Sequence, residues 1–361
     1  MTRRLFVCAL ACLLGVPLVA QAPAADLADH DHWKRLKALI EPRAAANPND
    51  AEAQWLLSRV RLRYNDTTAA LAAAEKAVAL DGKNADYRWQ LAQVVGEQAS
   101  DASIFKAPGL AKRFKREVEA GLAINPRHTP SMIGLMEFYY RAPGIVGGDK
   151  KKAEAMPDQI MAINKVDGYI AKVRLMARLD PQPPTAQFEQ VWVQAVQADP
   201  SRYEPHLNLA SIYASGTTPR WELAEKEALN AKRIDPDRTG PYSILAAVYA
   251  TAERWSDLDA VLAEAEKKIP DNLTPFLRAA GTLQGTAKDL PRAERYARKY
   301  LDQEPEPSAS SHAVAHWRLG LILEKQGRKP DAIAALKTAV KADPKFEAAQ
   351  KDLKRVEKSG S

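Results

Sequence analysis

Cysteine is nearly missing: the 361 residues contain only Cys8 and Cys12, both within the first 22. Without that segment the chain has no disulfide, no thiol nucleophile and no thiolate metal site. Long apolar runs are equally scarce. The stretch from Leu5 to Ala20 is short for a membrane span and ends in small residues, Gln and Pro rather than in basic stop-transfer residues. No strand-like alternation persists, which excludes a β architecture. There is no Gly-x-Ser-x-Gly elbow, no dinucleotide-binding glycine fingerprint and no His-Glu-x-x-His, so the common hydrolase, oxidoreductase and zinc-protease signatures are excluded. Nor is one sign of charge in strong excess: 52 Lys and Arg stand against 45 Asp and Glu. This mild basicity reads as a solvated surface and does not suggest nucleic acid.

Residues 1–22 pair Arg3 and Arg4 with the apolar run and a small-residue Ala20-Gln21-Ala22 ending. They read as a secretory signal peptide cleaved near Ala22, with Ala24 the second choice. Thr2 to Val7 also resembles a twin-arginine signal, but the short basic region and strongly apolar core favour the general secretory route. Removing this segment takes away two arginines and no acid, lowering the net charge from +7 to +5. The expected location is the bacterial periplasm, with no transmembrane segment in the mature chain.

What the sequence does have is self-similarity. In 313-AVAHWRLGLILEKQGRKPDAIAALKTAVKADP-344 an apolar helical pattern with Leu319-Gly320 precedes a Gly327 turn. Ala332, Leu336 and Ala339 follow at helical spacing, and Asp343-Pro344 closes the unit. Closing prolines or their substitutes recur at Gly82, Pro126, Lys165, Pro200, Pro236, Pro270, Pro305 and Pro344, 34 to 44 residues apart. Small residues at fixed positions, such as Ala70, Ala77, Ala224, Ala231, Ala293 and Ala332, permit close helix approach, and proline ends each unit because it cannot continue the preceding helix. The pattern resembles the tetratricopeptide repeat (TPR). That resemblance implies an all-α, right-handed α-solenoid of about eight TPR-like helix pairs over 51–344. Residues 23–50 are then an N-terminal linker and capping helix, and residues 345–361 a C-terminal capping helix and tail.

Two repeats are longer than the rest. The second carries an insertion near 96–113, including Lys106, Pro108 and Gly109; the third carries one near 141–149, with Pro143, Gly144, Gly147, Gly148, Asp149 and Lys150. Equivalent turns of neighbouring repeats share one edge of a solenoid, so the insertions are expected to touch as a ridge, with Ile104, Phe105, Leu110, Ile145 and Val146 packed there. The 144–150 glycines lack P-loop spacing, and Asp149 fits a helix N-cap. Lys150, Lys151 and Lys152 at a helix start oppose its dipole, which leaves a protein, lipid or small-anion contact open beside the purely structural reading. The extended second repeat followed by this 142-APGIVGGDK-150 stretch resembles a group of exported bacterial TPR proteins, which implies an envelope protein that holds something else.

Histidine spacing offers little chemistry. His312 and His316 read as solvated residues near a helix start, and Asp29-His30-Asp31-His32 as the flexible start of the capping helix rather than a chelator. No catalytic, cofactor or metal residue is assigned. The groove face of TPR helices instead places Trp55, Arg59 and Arg63 in repeat one, Trp89 and Gln93 in repeat two, and Glu137, Tyr140 and Arg141 in repeat three. Trp, Tyr and Arg dominate binding hot spots, so these residues are the candidate partner-binding set, although Trp55 and Trp89 suit core positions equally. The expected function is non-enzymatic: an interaction scaffold for a protein or peptide of the cell envelope. The alternative is a solute-binding accessory of an envelope transporter, similar to the TPR component associated with TRAP transport.

Overall fold

The computed structural model describes residues 24–358; the expected signal segment 1–22, with both cysteines, and the end of the expected C-terminal tail at 359–361 lie outside the described residues. Among the described residues all regular structure is helical. Two helices, α1 (Ala24–Asp29) and α2 (Trp33–Ala46), come first. Then follow sequential pairs: α3 (Ala51–Arg63) with α4 (Thr67–Leu80), α5 (Ala85–Asp101) with α6 (Ala107–Ile124), and α7 (Thr129–Arg141) with α8 (Lys150–Met161). The series continues with α9 (Lys165–Met176) and α10 (Thr185–Ala198), α11 (Tyr203–Tyr213) and α12 (Trp221–Ile234), and α13 (Thr239–Thr251) and α14 (Trp255–Lys268). It ends with α15 (Thr274–Thr286) and α16 (Leu290–Leu301), α17 (His312–Lys325) and α18 (Lys329–Ala342), and the closing helix α19 (Glu347–Lys358). The second helix of each pair packs on its pair partner and on the first helix that follows, the connectivity of a solenoid.

Local chemistry sets these boundaries. Asp50, Asp66, Asn84 and Asn164 cap α3, α4, α5 and α9 by accepting from backbone N–H groups of the first turn. The small residues are buried as expected: Ala70, Ala77, Ala224, Ala231, Ala293 and Ala332 have no exposed surface. Where helices approach most closely, even a methyl group does not fit. A Cβ on Gly134 in α7 would stand 2.3 Å from the Trp89 ring of α5.

Consecutive pairs are also stitched along the second helices. Arg220 bonds Glu189 at 2.6 Å, Arg254 bonds Glu225 at 2.7 Å, Arg292 bonds Asp259 at 2.5 Å and Arg328 bonds Glu294 at 2.7 Å. Exposed pairs of this kind contribute only about 0–1 kcal/mol each. Their periodic placement fixes the register between neighbours more than it adds stability.

A buried charged pair lies within the fifth repeat, where His206 Nδ1 and Glu227 Oε2 are 2.5 Å apart and His206 Nε2 is 3.0 Å from the Pro200 carbonyl. The Glu227 contact raises His206 above its ordinary 6.5, and the same contact lowers Glu227 below its ordinary 4.5. The histidine's contribution to stability is therefore full below 6.5 and lost as pH rises through its raised folded value. The glutamate's is full above 4.5 and lost as pH falls through its lowered one. Urea midpoints measured across pH are expected to be highest between 4.5 and 6.5 and to decline as pH rises above 6.5. In His206→Gln the alkaline decline should be shallower, and an unchanged slope would remove this pair as its source.

Candidate functional site

The two insertions are built differently from the sequence expectation. The extra residues of repeat two, expected as a loop over 96–113, lengthen its helices instead, because α5 runs on to Asp101 and α6 begins at Ala107. Lys106 immediately precedes α6, Pro108 lies in its first turn, and Gly109 faces open space. In repeat three Pro143 leads into a short 3-10 turn, Gly144–Val146. Gly147 then takes a left-handed φ of 100°. A Cβ on Gly148 would overlap the Ala142 carbonyl oxygen at 1.7 Å, so only glycine fits. Asp149 caps α8 as expected, accepting from Lys152 N at 3.1 Å.

The 3-10 turn meets α6, so the insertions do make contact, but the apolar ridge does not form. Val146 is buried and Leu110 packs on the α4–α5 core, whereas Ile104, Phe105 and Ile145 are 80%, 89% and 88% exposed. The short 102–106 connection and the tight glycine turn point these three outward. Lys150 lies over the Tyr140 ring at 5.2 Å and Lys152 over Tyr139 at 5.6 Å. Both cations thus have aromatic partners.

The larger departure is at the N-terminus. Asp29-His30-Asp31-His32 is not a flexible helix start; it is part of a strap anchored on distant repeats. Asp31 adopts a left-handed φ of 64°, which aspartate tolerates better than most residues, and reverses the chain between α1 and α2. His30 Nε2 lies 3.1 Å from Asp235, and His32, almost wholly buried, has Nδ1 3.2 Å from Asp271 Oδ2 and Nε2 3.0 Å from the Asp237 carbonyl. Arg35 bonds the other oxygen of Asp271, and the Lys34 backbone N–H donates to the buried carboxyl of Glu306 at 3.2 Å, capping α2 from 272 residues away.

These acids share a sequence signal that repeat counting passes over. Asp237, Asp271 and Glu306 each directly follow the closing proline of their repeat, where other junctions carry Lys83, Arg127, Ser201 or Lys345. Burial opposes ionisation of Asp271, but the His32 hydrogen bond and the charges of His32 and Arg35 outweigh it and hold the carboxyl low. Burial, helped by the Asp271 carboxylate, raises Glu306 well above the usual carboxylate range.

The strap walls a cavity of about 610 Å³ with the first helices of repeats one and two. Its lining brings together Arg59, Arg63 and Gln93 from the expected binding set with Asp29, Asp31 and Glu97. Arg59 bonds Asp29 at 2.6 Å and lies over the Trp55 ring at 5.2 Å; Arg63 bonds Asp31 at 3.2 Å and lies over Trp33 at 5.0 Å. Trp55 packs on Tyr87, and Trp89 fills the space over Gly134, so both tryptophans belong to inter-helix packing. Glu137, Tyr140 and Arg141 are not part of this cavity: Glu137 pairs with Arg174, Tyr140 donates to the Arg178 carbonyl, and Arg141 is exposed at the end of α7.

The sequence profile of the family described as tetratricopeptide repeat matches residues 278–345. Residues 278–345 carry the tetratricopeptide repeat pattern. Among solved structures the chain is similar to a thermophilic TPR protein of Thermus thermophilus, at 19% identity over 52% of this chain and 94% of that one, with a TM-score of 0.44. It is similar to yeast Tom70 at 15% identity over 92% and 79%, TM-score 0.47. A tetratricopeptide repeat protein of Parabacteroides merdae aligns at 13% identity over 73% and 98%, TM-score 0.45. Comparison with curated proteins returned no match. Among the described residues no helix is long and apolar enough to cross a membrane.

Two substitutions test this geometry. Asp271→Ala removes the acceptor of His32 and Arg35 and leaves a buried histidine without its counter-charge, a change of about 3 kcal/mol or more. Faster hydrogen exchange is expected in residues 24–46, while α13 to α18 stay protected; unchanged exchange would mean that the clasp contributes little. Gly148→Ala forces a backbone shift at the α7–α8 turn, and thermal melting should register a loss of about 1–3 kcal/mol.

Proposed function

We propose that the protein is a non-enzymatic interaction scaffold of the bacterial periplasm, binding an acidic segment of an envelope protein in the groove of its first TPRs. One observation carries this reading: Arg59 and Arg63 enter a polar cavity and already hold two carboxylates, Asp29 and Asp31, of the chain's own strap. A site that binds an acidic segment in cis has the chemistry to bind one in trans, since guanidinium groups beside aromatic faces combine charge-assisted hydrogen bonds with stacking. TPR proteins are protein-interaction scaffolds, which supports the same class of function. The exposed Ile104, Phe105 and Ile145 add an apolar contact surface at the edge of repeats two and three. The cavity lining is polar, whereas the solute-binding alternative calls for an enclosed apolar pocket. The scaffold reading is therefore preferred.

Crosslinking in intact cells, followed by affinity capture, tests the proposal. One envelope protein should be recovered with the wild type and lost with Arg59→Ala/Arg63→Ala, since truncating a hot-spot arginine costs about 2 kcal/mol or more. Equal recovery with the double variant would remove the groove from the interaction. Retention of a small molecule through purification, seen by native mass spectrometry, would favour the solute-binding reading.

A further inference from the structure

His30 Nδ1 is buried and has no hydrogen-bond partner. It faces Asp237, whose Oδ2 is 3.8 Å away, and His32 Nε2 approaches the same oxygen at 3.6 Å. One ligand atom from each of His30, His32 and Asp237 lies within 4.8 Å of the others. The opposite nitrogen of each ring meets a carboxylate: His30 Nε2 is 3.1 Å from Asp235, and His32 Nδ1 is 3.2 Å from Asp271. Asp235 is itself held by Arg238 at 2.7 Å. Carboxylates behind the imidazoles are the usual outer shell of a metal centre, since they fix the tautomer and turn the free lone pair inward.

We infer that His30, His32 and Asp237 form a binding site for a divalent transition metal, with zinc the best fit, and that the metal locks the N-terminal strap onto the sixth repeat. Two imidazole nitrogens and one carboxylate oxygen suit zinc and its neighbours in the first transition series, whereas calcium and magnesium prefer all-oxygen sets. Zinc bonds of about 2.0–2.1 Å at tetrahedral angles place ligand atoms about 3.3 Å apart. The distances of 3.8 and 3.6 Å to the Asp237 oxygen need only a small side-chain contraction. The metal would replace the contact between His32 Nε2 and the Asp237 carbonyl, and a water would complete the coordination. The ligands come from chain positions some 200 residues apart, so an ion held here joins the N-terminal strap to the start of the sixth repeat, which the repeat plan leaves unconnected. The inference does not depend on which partner the groove takes.

Zinc added to untagged, chelator-treated protein tests it by calorimetry and by hydrogen exchange. Binding of one ion per chain, with stronger protection of residues 24–46, is the expected result. His30→Gln and Asp237→Asn should each weaken binding by more than about 10-fold and abolish the added protection. Asp235→Asn, behind His30, should weaken it by about 10–100-fold. His312→Gln, which removes a histidine outside the ligand set, should behave as wild type. Circular dichroism checks that each variant keeps its helices, so loss of binding is not confused with loss of fold. The absence of one-to-one binding, or equal affinity in the His30 and Asp237 variants, would overturn the site.

Discussion

The arrangement of this protein depends on one set of charged contacts, the basic strap at His30 to Arg35 held by acids at three successive repeat junctions. Elsewhere the array is built from near neighbours, each helix packed against those next to it in sequence. Such contacts fix a local stacking angle but leave the two ends free to move relative to each other. The strap introduces long-range contacts, between His32 and Asp271 and between Lys34 and Glu306. A buried charge such as that of Asp271 is strongly destabilising when its partners are missing, so the clasp is demanding about position as well as charge.

The clasp also determines what the groove presents. The α1–α2 turn that carries His30 and His32 into the acid row points Asp29 and Asp31 the other way, toward Arg59 and Arg63. Alternate residues of one short segment therefore serve two surfaces, an anchoring face of histidines and a groove-facing pair of carboxylates. An approaching acidic ligand would meet arginines already neutralised, and the order of the strap would set its apparent affinity. The cavity and the clasp form one mechanical unit.

Much of the fold was legible in the sequence because repetition reports on itself. Buried small residues fell where the recurring frame put them, and Asp149 took its place as a cap. The ridge of apolar loop residues was misjudged for a local reason: the extra residues in repeat two have enough helix propensity to extend α5 and α6, which leaves Ile104 and Phe105 at a tip with nothing to cover them. Arg59, Arg63 and Gln93 line a cavity, but their partners there were not foreseen, because Asp29 and Asp31 belong to a segment that repeat logic treats as an edge. The acids after Pro236, Pro270 and Pro305 were visible as letters. Only when the junctions are compared with one another do these three stand apart, and only the folded chain brings them to the strap.

An open solenoid is elastic in the manner of a spring, and its end repeats fray independently of its middle. Joining residues 30–35 to the junctions that follow α12, α14 and α16 gives the array a second path for force, running across the turn instead of along it. Pitch and curvature are then set by the length of the strap as well as by the angles between neighbours. Whatever loosens the first helices would relax the geometry of the later repeats, and a load applied there would be felt at the cavity of repeats one and two.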